Sequence, residues 1–342
     1  MQRIAVLTGG GDAPGLNAAI RAVVRRGEER GLQVIGVRDG WRGLIEEDTF
    51  PLTRQAISGI LPKGGTILGT SRTNPLKVPQ GLERIKATLA GHRIDALVAI
   101  GGDDTLGAAL HVSRTGVAVV GVPKTMDNDV PGTDTTIGFD TAANVVMDAV
   151  GRLHSTAEAH HRVMVVEVMG RDAGWVATIG GLAGGADVVL VPEVPFDIDE
   201  VCAEIQQRHA QGMPFSIVVV AEGAAPKNMG TQVVQDTRVD AFGHARLGGI
   251  GALLAEEIER RTKHETRVTV LGHLQRASPP SAFDRVLATR LGVAAVDALL
   301  AGQTGVMVAL RGTAIVTVPL DELTKGTRTV DPALYALTRL FS

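Results

Sequence analysis

A chain of 342 residues, 44% of them hydrophobic and 42 of them glycine, is long enough for two lobes and suits a compact α/β protein with many strand-to-helix turns. Its formal net charge of -3 supplies no global basic field, so nucleic acid is not expected as a partner and any anion site must be local. The single cysteine, Cys202, excludes an internal disulfide; the apolar runs are strand length, far short of a bilayer span, and no signal-peptide pattern opens the chain, so a reducing cytoplasm without a membrane is expected.

Runs rich in Val and Ile at residues 3–7, 33–38, 96–100 and 118–122 alternate with amphipathic stretches, the pattern of βαβ units with right-handed crossovers. Within 15–30, Leu16, Ala19, Ile20, Val23 and Val24 recur at helical spacing, with Arg21, Arg25 and Arg26 on other faces; this predicts a helix opening on a glycine-rich turn. A helix from Gly138 to near Glu158 leads to strands at 162–168, 188–191 and 216–221, which are expected to form a second sheet. A helix over 281–301, carrying Phe283, Val286, Leu287, Leu291 and Val296, is placed to return to the first lobe, and strands at 306–310 and 314–318 close the chain. No linker rich in Pro, Gly or Ser divides the lobes, and no internal repeat is visible.

The chemistry-bearing motifs fall at strand ends, where open α/β sheets place their ligands. Residues 8–15, TGGGDAPG, offer backbone amides and a helix start to an anion, although alone they also fit a tight connection with no ligand. They lack the GxGxxG and Walker spacings, against a dinucleotide fold or a P-loop NTPase. Gly69-Thr70-Ser71-Arg72 brings a guanidinium whose planar fork can grip phosphate, though a lone arginine is as often solvated. Gly101-Gly102-Asp103-Asp104-Thr105 and Pro123-Lys124-Thr125-Met126-Asp127-Asn128-Asp129 follow the third and fourth runs. Their glycines admit a phosphate, their carboxylates suit a magnesium ion and a proton acceptor, and Lys124 suits a phosphoryl oxygen. In extended backbone, Asp127 and Asp129 would point the same way about Asn128. Turn-forming Asp and Asn are the plainer alternative, but a lysine beside a general base is the pairing that phosphoryl transfer needs. Met169-Gly170-Arg171 and Glu222 also follow strands. Residues 267–276, RVTVLGHLQR, read as a strand with Arg267 on one side and His273 and Arg276 on the other, three donors for a phosphomonoester. His160, His161 and His264 lack metal-ligand spacing and are taken as structural.

Taken in order, GGGDAPGLNA, GTSR, GGDDT, PKTMDND, VVEVMGR, PEV and VTVLGHLQR make the chain resemble the phosphofructokinase family, from the first glycine turn to the helix after Arg276. The resemblance implies an α/β fold of two Rossmann-like three-layer α/β/α lobes with the active-site cleft between them. Residues 1–138 plus about 275–325 would be the larger, donor-binding lobe, and 139–274 plus about 326–342 the smaller, sugar-phosphate-binding lobe. It implies Mg2+-dependent phosphoryl transfer to the 1-hydroxyl of fructose 6-phosphate. Carried over residue by residue, Asp127 resembles the general base, with Lys124 and Arg171 beside it, and Asp103 the magnesium-associated carboxylate. Gly11, Arg72 and Asp104 fall at the donor; Thr125, Asp129, Met169, Gly170 and Glu222 fall at the sugar. His273 and Arg276 resemble the 6-phosphate clamp. Arg162 and Arg267 match positions that reach into the neighbouring subunit's site, which implies a homo-oligomer, dimer or tetramer.

The family splits on the phosphoryl donor. ATP-using bacterial members typically read GGDGS and PGTIDND, with glycine where this chain has Asp104 and Lys124; pyrophosphate users carry Asp and Lys there. A carboxylate at position 104 facing a nucleotide's α-phosphate adds repulsion of about 4 kcal/mol, at about 4 Å and an effective dielectric of about 20. Pyrophosphate has no adenosyl arm and avoids that space. Lysine at 124 also occurs in some ATP-using relatives, so the pyrophosphate reading rests on Asp104, and ATP stays as the alternative donor. A sensor that binds sugar phosphate without turnover is a further alternative, opposed by the intact set Asp103, Lys124, Asp127, Arg171 and Arg276. Regulated bacterial homologues carry lysines where this chain reads Gln211-Gly212-Met213-Pro214 and an arginine where His154 stands. Arg21 and Arg25 remain, and weak or absent control by ADP or phosphoenolpyruvate is expected.

Overall fold

The structure is a computed structural model that describes residues 1–227, 232, 234–239, 241–243 and 245–340. In chain order the strands are β1 (Arg3–Thr8), β2 (Gln33–Val37), β3 (Thr49–Pro51), β4 (Ala96–Gly101), β5 (Ala118–Pro123), β6 (Val163–Val168), β7 (Val188–Leu190), β8 (Ser216–Ala221), β9 (Val234–Val239), β10 (Ala245–Leu247), β11 (Thr266–Val270), β12 (Val306–Arg311) and β13 (Ala314–Pro319). The helices are α1 (Leu16–Glu29), α2 (Trp41–Glu46), α3 (Gly81–Gly91), α4 (Asp103–Arg114), α5 (Phe139–His160), α6 (Trp175–Gly184), α7 (Ile198–Ala210), α8 (Ile250–Thr262), α9 (Leu274–Ala277), α10 (Ala282–Leu300) and α11 (Pro332–Leu337).

Two main sheets result. The first has the order β13-β12-β5-β4-β1-β2-β3, parallel inside and antiparallel at both edges, β13 and β3. The second, β11-β6-β8-β7, is parallel throughout, and β9 and β10 form a separate antiparallel pair. Every residue of β4, β6 and β8 is buried, as expected for Val- and Ile-rich strands covered on both faces. On one face of the first sheet, Leu16, Ile20 and Val23 of α1 pack with Leu287, Leu291 and Val296 of α10; on the other, Leu89 of α3 and Leu106 of α4 cover Leu97. Each such leucine contributes about 1.5–3 kcal/mol through burial. Gly292 lets α10 and α1 touch: a Cβ there would lie 2.7 Å from the Ala19 carbonyl oxygen. The second sheet is sandwiched the same way, by α5 and α6 through Val146, Val150 and Val176, and by α7 and α8 through Val201, Ile205, Leu254 and Ile258. The protein is therefore an α/β protein of three-layer units, and α10 returns to the first sheet through Leu287, Leu291 and Val296, whereas Phe283 and Val286 of the expected apolar pattern are exposed.

Register decides where the motifs meet. Thr8 pairs with Ile100, and Gly101 with Pro123, so the turns after β1, β4 and β5 emerge side by side. In the second sheet Val168 pairs with Ala221 and Val270 with Glu167, which brings together the turns after β6, β8 and β11. Helices α5 and α10 start next to each other, fastened by fully buried Asp284, whose carboxylate accepts from the Gly138 and Thr141 N–H groups at 2.8 Å each and from the Thr141 hydroxyl. Burial pushes its pKa up to about 6. Among the described residues no helix is long and apolar enough to cross a membrane.

Candidate active site

The glycine turns are shaped by what packs against them. Thr105, on the first turn of α4, fills the space beside Gly9 and Gly101; a Cβ on those residues would lie 2.7 Å and 2.3 Å from its side chain. Gly11 lies under Arg276, whose Nη1 would sit 2.9 Å from a Cβ at Gly11 and donates to the Asp12 carbonyl at 2.8 Å. Lys124, 2% exposed at the end of β5, reaches beneath the same turn and donates to the Gly11 carbonyl. Two cations thus converge on the Gly11–Asp12 backbone. Burial, with Arg276 nearby, lowers the Lys124 pKa to about 8. Asp103 and Asp104 occupy the first turn of α4, whose N-cap is Gly102.

The loop that holds Asp127 and Asp129 differs from the extended arrangement expected from sequence. Asn128 has φ 54°, a left-handed conformation that Asn tolerates better than most residues, so the segment turns. Both carboxylates nevertheless line one recess. The Asn128 side chain stabilises the turn: its Oδ1 accepts from the Thr136 N–H at 3.0 Å, and the Thr136 hydroxyl donates to the Thr125 carbonyl at 2.7 Å. The Thr125 hydroxyl accepts from the Asp127 N–H at 3.1 Å. The Oδ1 atoms of Asp127 and Asp129 are buried with no hydrogen-bond partner among the described residues. Burial raises the pKa of both; Arg276 and Arg171 oppose the rise at Asp127, while Asp127 and Asp103 add to it at Asp129.

Two recesses share Arg72, Met169, Arg171 and Glu222 as walls. The narrower, about 150 Å³, is lined also by Gly11, Asp103, Asp104, Lys124, Thr125, Asp127, Asp129 and Arg276. The wider, about 510 Å³, has His273, Gly272 and Glu167 in its wall. Glu222, between them, has its pKa pushed up to about 7, by burial and then by Asp127. The strand expected between Arg267 and His273 is present as β11, but the short helix α9 follows it, and His273 and Arg276 line different recesses rather than one. Gly170 lines neither; with φ 143° and a Cβ that would meet the Ala173 carbonyl oxygen at 2.9 Å, it shapes the turn between Met169 and Arg171. Arg162 and Arg267 also line neither: Arg162 pairs with Glu265 at 2.8 Å, and Arg267 with Glu265 and with Glu259 at 3.8 Å.

Asp12, Asp172 and Phe242 belong to the site without having been singled out. Asp12 acts on Lys124, raising its pKa, and Asp172 and Phe242 line the narrower recess. Asp172 follows Arg171 directly and could have been found from that neighbourhood; no local signal marks Phe242. Glu167 is structural, accepting from the Gly249 and Gly251 N–H groups at the start of α8.

This arrangement, with unpartnered carboxylate oxygens facing cations across a glycine-lined recess, suits proton abstraction beside an anionic group. The phosphofructokinase family pattern matches residues 3–299. The chain is 57% identical over 342 residues, 99% of each chain, to a protein named pyrophosphate–fructose 6-phosphate 1-phosphotransferase from Streptomyces coelicolor. It is 52% identical over 322 residues, 94% of this chain and 93% of the other, to a protein named ATP-dependent 6-phosphofructokinase from Corynebacterium efficiens. Among solved structures, phosphofructokinase from Saccharomyces cerevisiae superposes with a TM-score of 0.83 at 32% identity; the match covers 95% of this chain and 45% of the yeast chain. The site and these likenesses agree: the chain belongs to the phosphofructokinase family.

Proposed function

We propose that the protein transfers a phosphoryl group from pyrophosphate to the 1-hydroxyl of fructose 6-phosphate, giving fructose 1,6-bisphosphate and phosphate, reversibly and in the cytoplasm. The observation that carries the chemistry is the buried, unpartnered Asp127 carboxylate oxygen in a recess whose walls hold Lys124, Arg171 and Arg276. Asp127 takes the hydroxyl proton, the 1-oxygen attacks the terminal phosphorus, and the bond to the bridging oxygen breaks as phosphate leaves. Lys124 and Arg171 offset the charge spread over the phosphoryl oxygens. Donor oxygens meet the Gly11 turn and Arg72, and Thr125, Asp129, Met169 and Glu222 surround the sugar. His273, in the wall of the wider recess, takes the 6-phosphate; Arg276, which lines the narrower recess, joins it only by leaving the Asp12 carbonyl, a neutral partner that a phosphate dianion outcompetes.

Mg2+ fits this donor set. No three side chains among the described residues converge as a complete metal site, but magnesium uses one or two carboxylates plus substrate phosphates and water. Asp103 on the rim of the recess, near the unpartnered oxygens of Asp127 and Asp129, supplies that partial set. Bound there, the ion would neutralise the donor phosphates.

For the donor, Asp104 in the recess wall and the pyrophosphate-linked name of the 57% identical relative support pyrophosphate. The ATP-linked name at 52% identity keeps ATP as the second reading. We assign residues 1–138 with about 275–325 to the donor lobe, and 139–274 with about 326–342 to the sugar-phosphate lobe. We further propose a homo-oligomer built on the β11 edge, where Val268 and Val270 are 40% and 56% exposed and Arg162 and Arg267 stand clear of their own protomer's recesses.

The test is product formation: purified protein with fructose 6-phosphate, pyrophosphate and Mg2+ should yield fructose 1,6-bisphosphate and phosphate by phosphorus NMR. Asp127→Ser should lower kcat by about two to four orders of magnitude while sugar-phosphate binding persists. Unchanged turnover would remove Asp127 from its role.

A further inference from the structure

The segment after β13 runs from the first sheet to the second, where the Tyr335 hydroxyl donates to the Val189 carbonyl at 2.9 Å. On the way it grips the loop that carries Asp127 and Asp129, and Arg328 does so twice. Its main-chain N–H donates to the Asp129 carbonyl at 2.8 Å, and its guanidinium Nη1 donates to the Asn128 carbonyl at 3.0 Å. The guanidinium is itself held in place, 4.1 Å over the ring of Trp175 at the start of α6. The Trp175 Nε1 donates back to the Arg328 carbonyl at 3.0 Å. Two residues on, the Val330 N–H donates to Glu193 at 3.0 Å, and the same carboxylate accepts from the Gly174 N–H at the N-cap of α6.

Asn128 is therefore fixed from both sides: its side chain to Thr136, its carbonyl to Arg328. The Asp127 Oδ1 is buried with no hydrogen-bond partner among the described residues to aim it, so its direction follows from the backbone torsions of the turn. Trp175 belongs to the layer over the second sheet, whose strand ends carry Arg171 and Glu222. Arg328 thus ties the carboxylate loop of one sheet to the sugar-side wall of the other.

We infer that Arg328 is a positioning residue for the reaction: by holding the Asn128 turn it aims the Asp127 carboxylate at the sugar hydroxyl. The inference rests on Asp127 being the base proposed above. A misplacement of about 1 Å at a reacting group can cost about a hundredfold in rate. Arg328→Ala should therefore lower kcat about 10- to 100-fold with the fructose 6-phosphate KM little changed, and Arg328→Lys should recover part of the loss through the same carbonyl. The decisive readout is the cycle with Asp127→Ser. If Arg328 acts by aiming Asp127, the double variant turns over no more slowly than Asp127→Ser alone. Wild-type kcat in Arg328→Ala, or an equal fold-loss with and without Asp127, would overturn the inference while leaving the base in place. Full activity in Asp127→Ser would remove the base, and the inference with it. If Arg328→Ala does not fold, Arg328→Lys and Arg328→Gln carry the same comparison in both backgrounds.

Discussion

Replacing Asp104 by glycine should convert a pyrophosphate enzyme part-way to ATP. Asp104 sits on the first turn of α4, half-buried, in the wall that also holds Gly10, Gly11 and Lys124. At about 4 Å from a nucleotide phosphate and an effective dielectric of about 20, its charge would cost about 4 kcal/mol; solvent reaches this half-buried side chain, and at a dielectric of about 40 the cost is about 2 kcal/mol. That corresponds to about a thirtyfold gain in ATP kcat/KM for Asp104→Gly. The fold should survive, because a glycine near a helix start and the loss of one first-turn carboxylate cost about 1 kcal/mol together. Initial rates at saturating fructose 6-phosphate, with ATP and pyrophosphate varied separately, give the ratio directly. Pyrophosphate kcat/KM should change less than that for ATP, since pyrophosphate has no adenosyl arm to pass Asp104. An unchanged ratio of the two donors would refute the repulsion argument.

Lys124 should set an alkaline limit. Its charge is present below its pKa and lost above it, so kcat/KM for pyrophosphate should fall as pH rises through about 8, and Lys124→Arg should flatten that limb because a guanidinium stays charged. A wild-type profile that is flat across this range would take Lys124 away from the donor. Shared sites predict complementation: mixing Arg267→Ala with Asp127→Ser subunits after dissociation should restore activity neither variant has alone, and no recovery in mixed oligomers would place Arg267 outside the neighbouring site.

Much of the site was legible because its residues follow strands that declare themselves. The Val- and Ile-rich stretches at β1, β4, β5, β6 and β8 have no reading but buried strands, and the turns behind them carry Gly11, Asp103, Lys124, Met169 and Glu222. Short elements with weaker patterns, such as the three-residue β3 and the polar β9, gave no comparable signal. Asn128 misled for a physical reason: alternation marks an extended strand only while φ stays negative, and here the residue between the carboxylates is left-handed. The separation of His273 from Arg276 depends on a four-residue helix and the length of one side chain reaching Asp12. The grip of Arg328 joins residues two hundred positions apart, which no local pattern contains.

The proposed reaction is phosphoryl transfer to fructose 6-phosphate with pyrophosphate as the donor. It is tested most directly by measuring kcat/KM of the wild-type enzyme for pyrophosphate and for ATP under one set of conditions, with Mg2+ and saturating fructose 6-phosphate. A clear preference for pyrophosphate is expected, at least tenfold given the roughly 2 kcal/mol set against a nucleotide by Asp104. Equal use of the two donors, or a preference for ATP, would contradict it.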